Sequence, residues 1–342
     1  MKNMDIFKKT MPFVWTRFGL YLLLGVGIIA YYIIAALIVL NGTESLSILG
    51  IIILVLGIII YAAVSRYLNY MVKAAHVAVI AELSATGTVP EGMSIVKYGK
   101  EQVKKRFVTA NVFYAVDGLV SGAVSQLQRI VSSVGSWFEK IPVMKTIFDI
   151  INLFIGIVLG YVDEAVLARV FQKKEEGAWK ASCDGVVLYF QNWKVILKNA
   201  LLITFGIVAF YAIGMGAIYL IIGVIAGGAG DLWAILFIFI AFFLIDVIKV
   251  AFIDSYVTIS VVNKYLPLTI NQAPAVDIYE KAQNWSKKFK DMCNKAKDEP
   301  QPVVQAAVAG VPGMTMAMPT GGVQQPVQPQ VVMGMPGMVQ QP

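Results

Sequence analysis

The chain has 342 residues, of which 58% are hydrophobic and 14% charged, with a mean hydropathy of +0.72 and a formal net charge of +7. Soluble domains are roughly 45–50% apolar and about 25% charged, so this composition excludes an ordinary soluble protein and points to a multi-pass membrane chain. The positive charge does not indicate nucleic acid, because the basic residues flank the apolar runs, where they orient a chain in a bilayer.

Phe18–Leu40 is an unbroken apolar run and Ser47–Val64 a second, joined by a short polar turn at 41–45. Each is about the 20 residues that cross a hydrocarbon core of roughly 30 Å. The first is too long for a signal-peptide core and has no small-residue cleavage site after it, so it is expected to remain as an anchor. His76, the single histidine, falls on Arg66–Glu82, which reads as a helix running out of the membrane. With no second histidine or cysteine nearby, it reads as a partly buried surface residue rather than a metal ligand.

Val108–Val134 carries an apolar stripe at helical spacing, with Asp117, Ser121, Ser125, Gln128 and Ser132 on the other face. A spanning helix must turn such a face away from lipid, toward partner helices or a hydrated path. Asp117 lies ten residues in, about 15 Å deep at 1.5 Å per residue, which makes it a functional candidate by depth alone. Gly118 and Gly122 form one GxxxG, and Gly156 and Gly160 another on the shorter run Ile147–Tyr161, so the two helices are expected to pack closely. Arg129 and Asp149 fall toward the outer side, facing each other across this hairpin.

Ala200–Ile225 and Leu232–Ile253 form a last apolar hairpin around 226–231. Asp246 and Lys249, three apart, suit an ion pair along one helix face or a coupling site, with Lys249 also able to snorkel. Asp163, Glu164 and Asp254 stand at the inner mouths of their hairpins and read as solvated boundary charges.

Lysine and arginine concentrate at the N-terminus and within 65–106, 169–198 and 264–297, while loops 41–46 and 226–231 carry none. The basic stretches are therefore placed in the cytoplasm of a cell membrane, with both termini inside. The crossing count must then be even. The expected fold is an all-α integral membrane protein of six spans in three hairpins (18–64, 108–161 and 200–253); four spans with a re-entrant or interfacial middle hairpin is the alternative. Tyr70, Tyr161 and Phe252 each close a hairpin at a spacing of 91, which points to an internal repeat.

Cys183 and Cys293 both fall in the cytoplasmic segments and read as reduced thiols. Asp277–Lys297 reads as one basic amphipathic helix, lying on anionic inner-leaflet lipids at roughly 1 kcal/mol per basic residue or packing over the cytoplasmic mouth. Residues 300–342 contain no charge, eight of the thirteen prolines and eight glutamines, the composition of a disordered tail able to bind a cytoplasmic protein.

Phe190-Gln-Asn-Trp-Lys-Val-Ile-Leu-Lys-Asn199 leads into a long span, and the last span closes with Phe252-Ile-Asp-Ser-Tyr-Val257. Over residues 184–260 this order resembles the C-terminal core of choline transporter-like solute carriers, although Gln191 stands where that family has its usual arginine. The resemblance implies choline or a related cation as substrate. No nucleophile–base pair, phosphate-cradling loop or HExxH motif argues for an enzyme, and no cofactor is expected. The functional expectation is a passive or secondary carrier or channel for a small solute, with Asp117, Ser121, Ser125 and Gln128 lining the path. Its rival is a membrane scaffold recruiting partners through the basic helix and tail.

Overall fold

A computed structural model describes residues 1–41, 44–106, 118–126, 156, 160–225 and 231–299. The described residues are helical with short connections and contain no strand. α1 (Asn3–Lys9) and α2 (Met11–Asn41) are followed by α3 (Glu44–Thr86) and α4 (Ile95–Arg106). Pro12 sits in the first turn of α2, where its missing N–H costs no helical hydrogen bond.

Two helices are long and apolar enough to cross a membrane, Met11–Ile38 and Gly50–Thr86, with Phe205–Ile221 a shorter apolar stretch. Their apolar side chains are not covered by protein: Leu23 is 71% exposed, Ile60 62% and Phe205 75%. Hydrocarbon satisfies such a surface and water does not.

The 43 residues of α3 would reach roughly 65 Å at 1.5 Å per residue, about twice a hydrocarbon core. Its two halves differ accordingly. Ile51–Ile60 is largely exposed, whereas Ala74, Val77, Ile80 and Leu83 are buried against protein. Gly99 of α4 permits the closest approach to this half, since a Cβ there would lie 2.5 Å from the Ala75 carbonyl oxygen.

The chain resumes in α5 (Val162–Gln172), α6 (Ala178–Gln191), α7 (Trp193–Ile225) and α8 (Asp231–Ile248). A single π-helical turn, Lys249–Ile253, then leads into α9 (Asp254–Thr269), α10 (Val276–Trp285) and α11 (Lys287–Lys297). The C-terminal half of α3, α5 and α9 pack against one another in all three pairings, and α6 closes the bundle. α5 is buried on every side, and its Ala165 and Ala168 let the neighbouring helices approach.

Two expectations are corrected here. The helix expected over Asp277–Lys297 is broken at Ser286, whose backbone is extended and whose Oγ accepts from the Phe289 N–H at 3.1 Å, capping α11. Phe289, Met292 and Cys293 of α11 are buried in the bundle, so its apolar side is not free to enter a membrane surface. A Cβ at Gly122 would meet the Lys288 side chain of α11, and most of the helix expected to carry Gly156 and Gly160 lies outside the described residues. Among the described residues nothing lies within 4 Å of a Cβ at Gly118, and the Gly160 N–H donates to the Gly156 carbonyl one turn before it.

Candidate functional site

The N-terminal part of α2, the C-terminal half of α3 and the N-terminal turns of α5 and α9 carry a group of charged side chains that pair across helices. Lys73 Nζ lies 2.5 Å from Asp163 Oδ2 and 3.0 Å from Glu164 Oε1. Lys249 Nζ lies 3.0 Å from Asp254 Oδ2, and the Tyr161 hydroxyl donates to Asp254 Oδ1 at 3.0 Å. Arg17 Nη1 donates to Ser255 Oγ at 3.0 Å. Asp163 and Glu164 occupy the first turn of α5, where the helix dipole favours negative charge. Lys249 opens the π turn and Asp254 follows it, and the turn's extra residue re-aims the side chains beside it.

These groups are not the solvated boundary charges expected from the sequence. The side chains of Lys73, Asp163 and Glu164 are only 19%, 16% and 8% exposed. The consequence is a pair of carboxyls sharing one ammonium. Burial pushes Asp163 up, but the Lys73 ammonium and the hydrogen bonds that Asp163 makes with Lys73 and Glu164 together hold it below its ordinary value. Burial and the neighbouring Asp163 charge push Glu164 well above its ordinary value, and Lys73 does not offset them. Asp163 is therefore the anion and Glu164 keeps its proton, the usual outcome for two carboxyls that cannot both ionise. Among the described residues no hydrogen-bond partner reaches the buried Glu164 Oε2.

His76 is a second correction. It is fully buried, stacked on Phe13 at 5.2 Å and 12°, and among the described residues neither ring nitrogen has a hydrogen-bond partner. Burial, aided by the Arg17 charge, holds it well below its ordinary value of 6.5, so the ring is neutral. The unfolded chain binds a proton below pH 6.5 that the folded chain refuses, so stability falls as pH drops below 6.5. His76→Phe is expected to remove this acid-side loss and to stabilise the neutral protein by about 1 kcal/mol, as two unpaired buried nitrogens disappear. Thermal unfolding in detergent at pH 5 and pH 7.5 measures both.

Asp246 accepts a hydrogen bond from the Tyr211 hydroxyl at 2.8 Å, joining α7 to α8, while Lys249 is taken by Asp254. Ser125 Oγ donates to the Ser121 carbonyl of its own helix at 2.7 Å. Asp117, Gln128, Arg129 and Asp149 lie outside the described residues. Gln191 and Asn192, in the stretch that resembles the choline transporter-like carriers, serve a helix junction: Gln191 Oε1 accepts from the Ala275 N–H and Asn192 Nδ2 donates to Gln272 Oε1. Among the described residues no group of three His, Cys, Asp or Glu side chains is placed to hold a metal ion.

Neither a family model, nor a curated protein, nor a solved structure matches the chain.

The sequence signal for the charge cluster lay in the 91-residue spacing. Lys73, Glu164 and Ser255 stand at corresponding positions, as do Val72, Asp163 and Asp254.

Proposed function

We propose that the chain is an integral membrane carrier or channel for a small solute, in which the Lys73–Asp163–Glu164 cluster exchanges a proton as the solute moves. The supporting observation is that two adjacent carboxyls both contact the part-buried Lys73 ammonium, supplied by another helix. Such a site holds one exchangeable proton, and its protonation changes the charge balance among Arg17, Lys73, Lys249 and Asp254 at once. A choline-like or related organic cation is the solute class of first choice, given the resemblance over 184–260.

For the topology, four crossings with the middle hairpin at the inner interface are favoured over six. Ser286 Oγ donates to Gln126 Oε1 at 2.6 Å. Ser286 lies between Lys281 and Lys287, on the stretch that charge places in the cytoplasm. In a helix crossing from Val108, residue 126 would lie about 27 Å from the inner face at 1.5 Å per residue, too far to touch it. The recurrence of an aromatic residue at Tyr70, Tyr161 and Phe252, 91 residues apart each time, is what favours an internal repeat. A cysteine placed at Lys140 is accordingly expected to react with an impermeant thiol reagent in inverted vesicles and not in intact cells. Labelling from outside would restore six crossings, and with them Asp117 as a residue of the path.

Transport is tested in proteoliposomes containing a lumenal pH indicator, with gradients of quaternary amines, amines, amino acids and carboxylates applied in turn. At least one gradient is expected to shift lumenal pH with the wild type and not with Glu164→Gln. Identical traces for the two proteins across the panel would count against the carrier. The scaffold reading is favoured by a separate observation: Glu299, the residue before the tail, is held on α6 by the Ala178 and Trp179 N–H groups at 2.7 and 2.9 Å. In that reading, deleting 300–342 removes co-purifying cytoplasmic proteins while Glu164→Gln changes nothing.

A further inference from the structure

The two cysteines, 110 residues apart in sequence, meet inside the bundle. Cys183 of α6 and Cys293 of α11 are both buried, at 0% and 4% exposure, and their sulfurs lie 2.9 Å apart. A disulfide needs about 2.05 Å between sulfurs, so less than an ångström of approach separates the dithiol from the bond. Around them α11 is held to α6 by non-covalent contacts alone. Lys295 Nζ sits 4.7 Å over the Trp179 ring, and Glu299 caps the first N–H groups of α6.

We propose that Cys183 and Cys293 form a reversible disulfide that locks α11, and the start of the C-terminal tail with it, onto α6. The oxidant is a peroxide. The Cys293 thiolate attacks one peroxide oxygen and becomes a sulfenic acid as the other oxygen leaves as water. The Cys183 sulfur then attacks the Cys293 sulfur, the S–S bond forms and a second water leaves. Two thiols thus lose two electrons and two protons, and one hydrogen peroxide becomes two waters. The order follows from the surroundings: contact with Cys183, together with the Tyr279 hydroxyl and against burial, holds the Cys293 thiol below its ordinary value, whereas burial pushes Cys183 up. A resolving sulfur already at 2.9 Å makes the bond faster than further oxidation of the sulfenic acid. In a cytoplasm kept reducing, such a bond is transient and reports oxidant exposure. The inference is independent of whether the chain carries a solute.

The test uses the full-length protein in detergent, treated with equimolar hydrogen peroxide and then alkylated under denaturing conditions. The expected product has lost two hydrogens, resists alkylation, and yields a tryptic cross-link between peptides 181–194 and 291–295 that dithiothreitol releases. Tryptic cleavage at Lys287–Lys290 is expected to be about tenfold slower in the oxidised than in the reduced protein, because α11 can no longer open locally. Both effects should be absent in Cys183→Ser. Two alkylatable thiols after peroxide, a sulfinic acid on Cys293, or a disulfide only between separate chains would overturn the proposal. Equal cleavage rates in the two states would overturn the lock.

Discussion

Replacing Lys73 with methionine is expected to destabilise the protein by about 3 kcal/mol. The side chain is close to the right length, so little packing is lost, and the effect isolates the charge. Without the ammonium, Asp163 remains an anion beside Glu164 with no cation in contact. Removing one partner of a buried pair typically costs 3–5 kcal/mol. The lower end applies here because exposures of 19% and 16% leave some water access. The double variant Lys73→Met/Asp163→Asn is expected to recover most of the loss, since the stranded charge is then gone. Thermal unfolding of the three variants in one detergent measures the cycle. A loss below about 1 kcal/mol for Lys73→Met would put the pair in the class of solvated surface bridges, where the sequence alone had placed it.

Glu164→Gln is expected to change the shape of the stability–pH curve more than its height. In the folded protein Glu164 keeps its proton well above the ordinary value of 4.5, while in the unfolded chain it releases it there. The folded state therefore binds more protons, and stability falls as pH rises from about 4.5 toward the raised folded value, by up to about 1.4 kcal/mol per pH unit. Glutamine cannot ionise, so the variant should match the wild type near pH 4.5 and surpass it progressively at neutral and alkaline pH. Asp163 acts in the opposite sense, since its stabilisation by Lys73 is lost as pH falls through its lowered value. His76 also weakens the protein on the acid side. The decline toward high pH is thus assigned to Glu164 among these three. Curves that coincide for variant and wild type from pH 5 to 9 would show that Glu164 is already ionised. In the carrier reading, the same substitution abolishes proton movement with the fold intact.

Much of the architecture was legible because apolar periodicity and charge distribution are local signals. The runs from Phe18 and Ser47 became α2 and the N-terminal half of α3, and the last hairpin became α7 and α8. What was not legible depends on which helix ends meet. Asp163 and Glu164 look like boundary charges until Lys73, 90 and 91 residues earlier, is brought against them. His76 looks like a surface histidine until Phe13 covers its ring. The stripe Ile278, Ala282, Trp285, Phe289 and Cys293 fits one continuous helix, and only the Ser286 side chain, shared between Gln126 and the Phe289 N–H, shows why it breaks. Lys73 and Glu164, which touch, stand three places after Tyr70 and Tyr161, residues that the apolar pattern marks only as hairpin ends.

The most direct measurement is infrared spectroscopy of the carboxyl groups in the folded protein at neutral pH, comparing wild type with Glu164→Gln. The account predicts a protonated carboxylic acid band at pH 7 that is missing from Glu164→Gln and that titrates away in the wild type only as pH rises. If the wild type and Glu164→Gln have the same carboxylic acid band at pH 7, Glu164 is an ordinary carboxylate, and the proton-exchanging site does not exist.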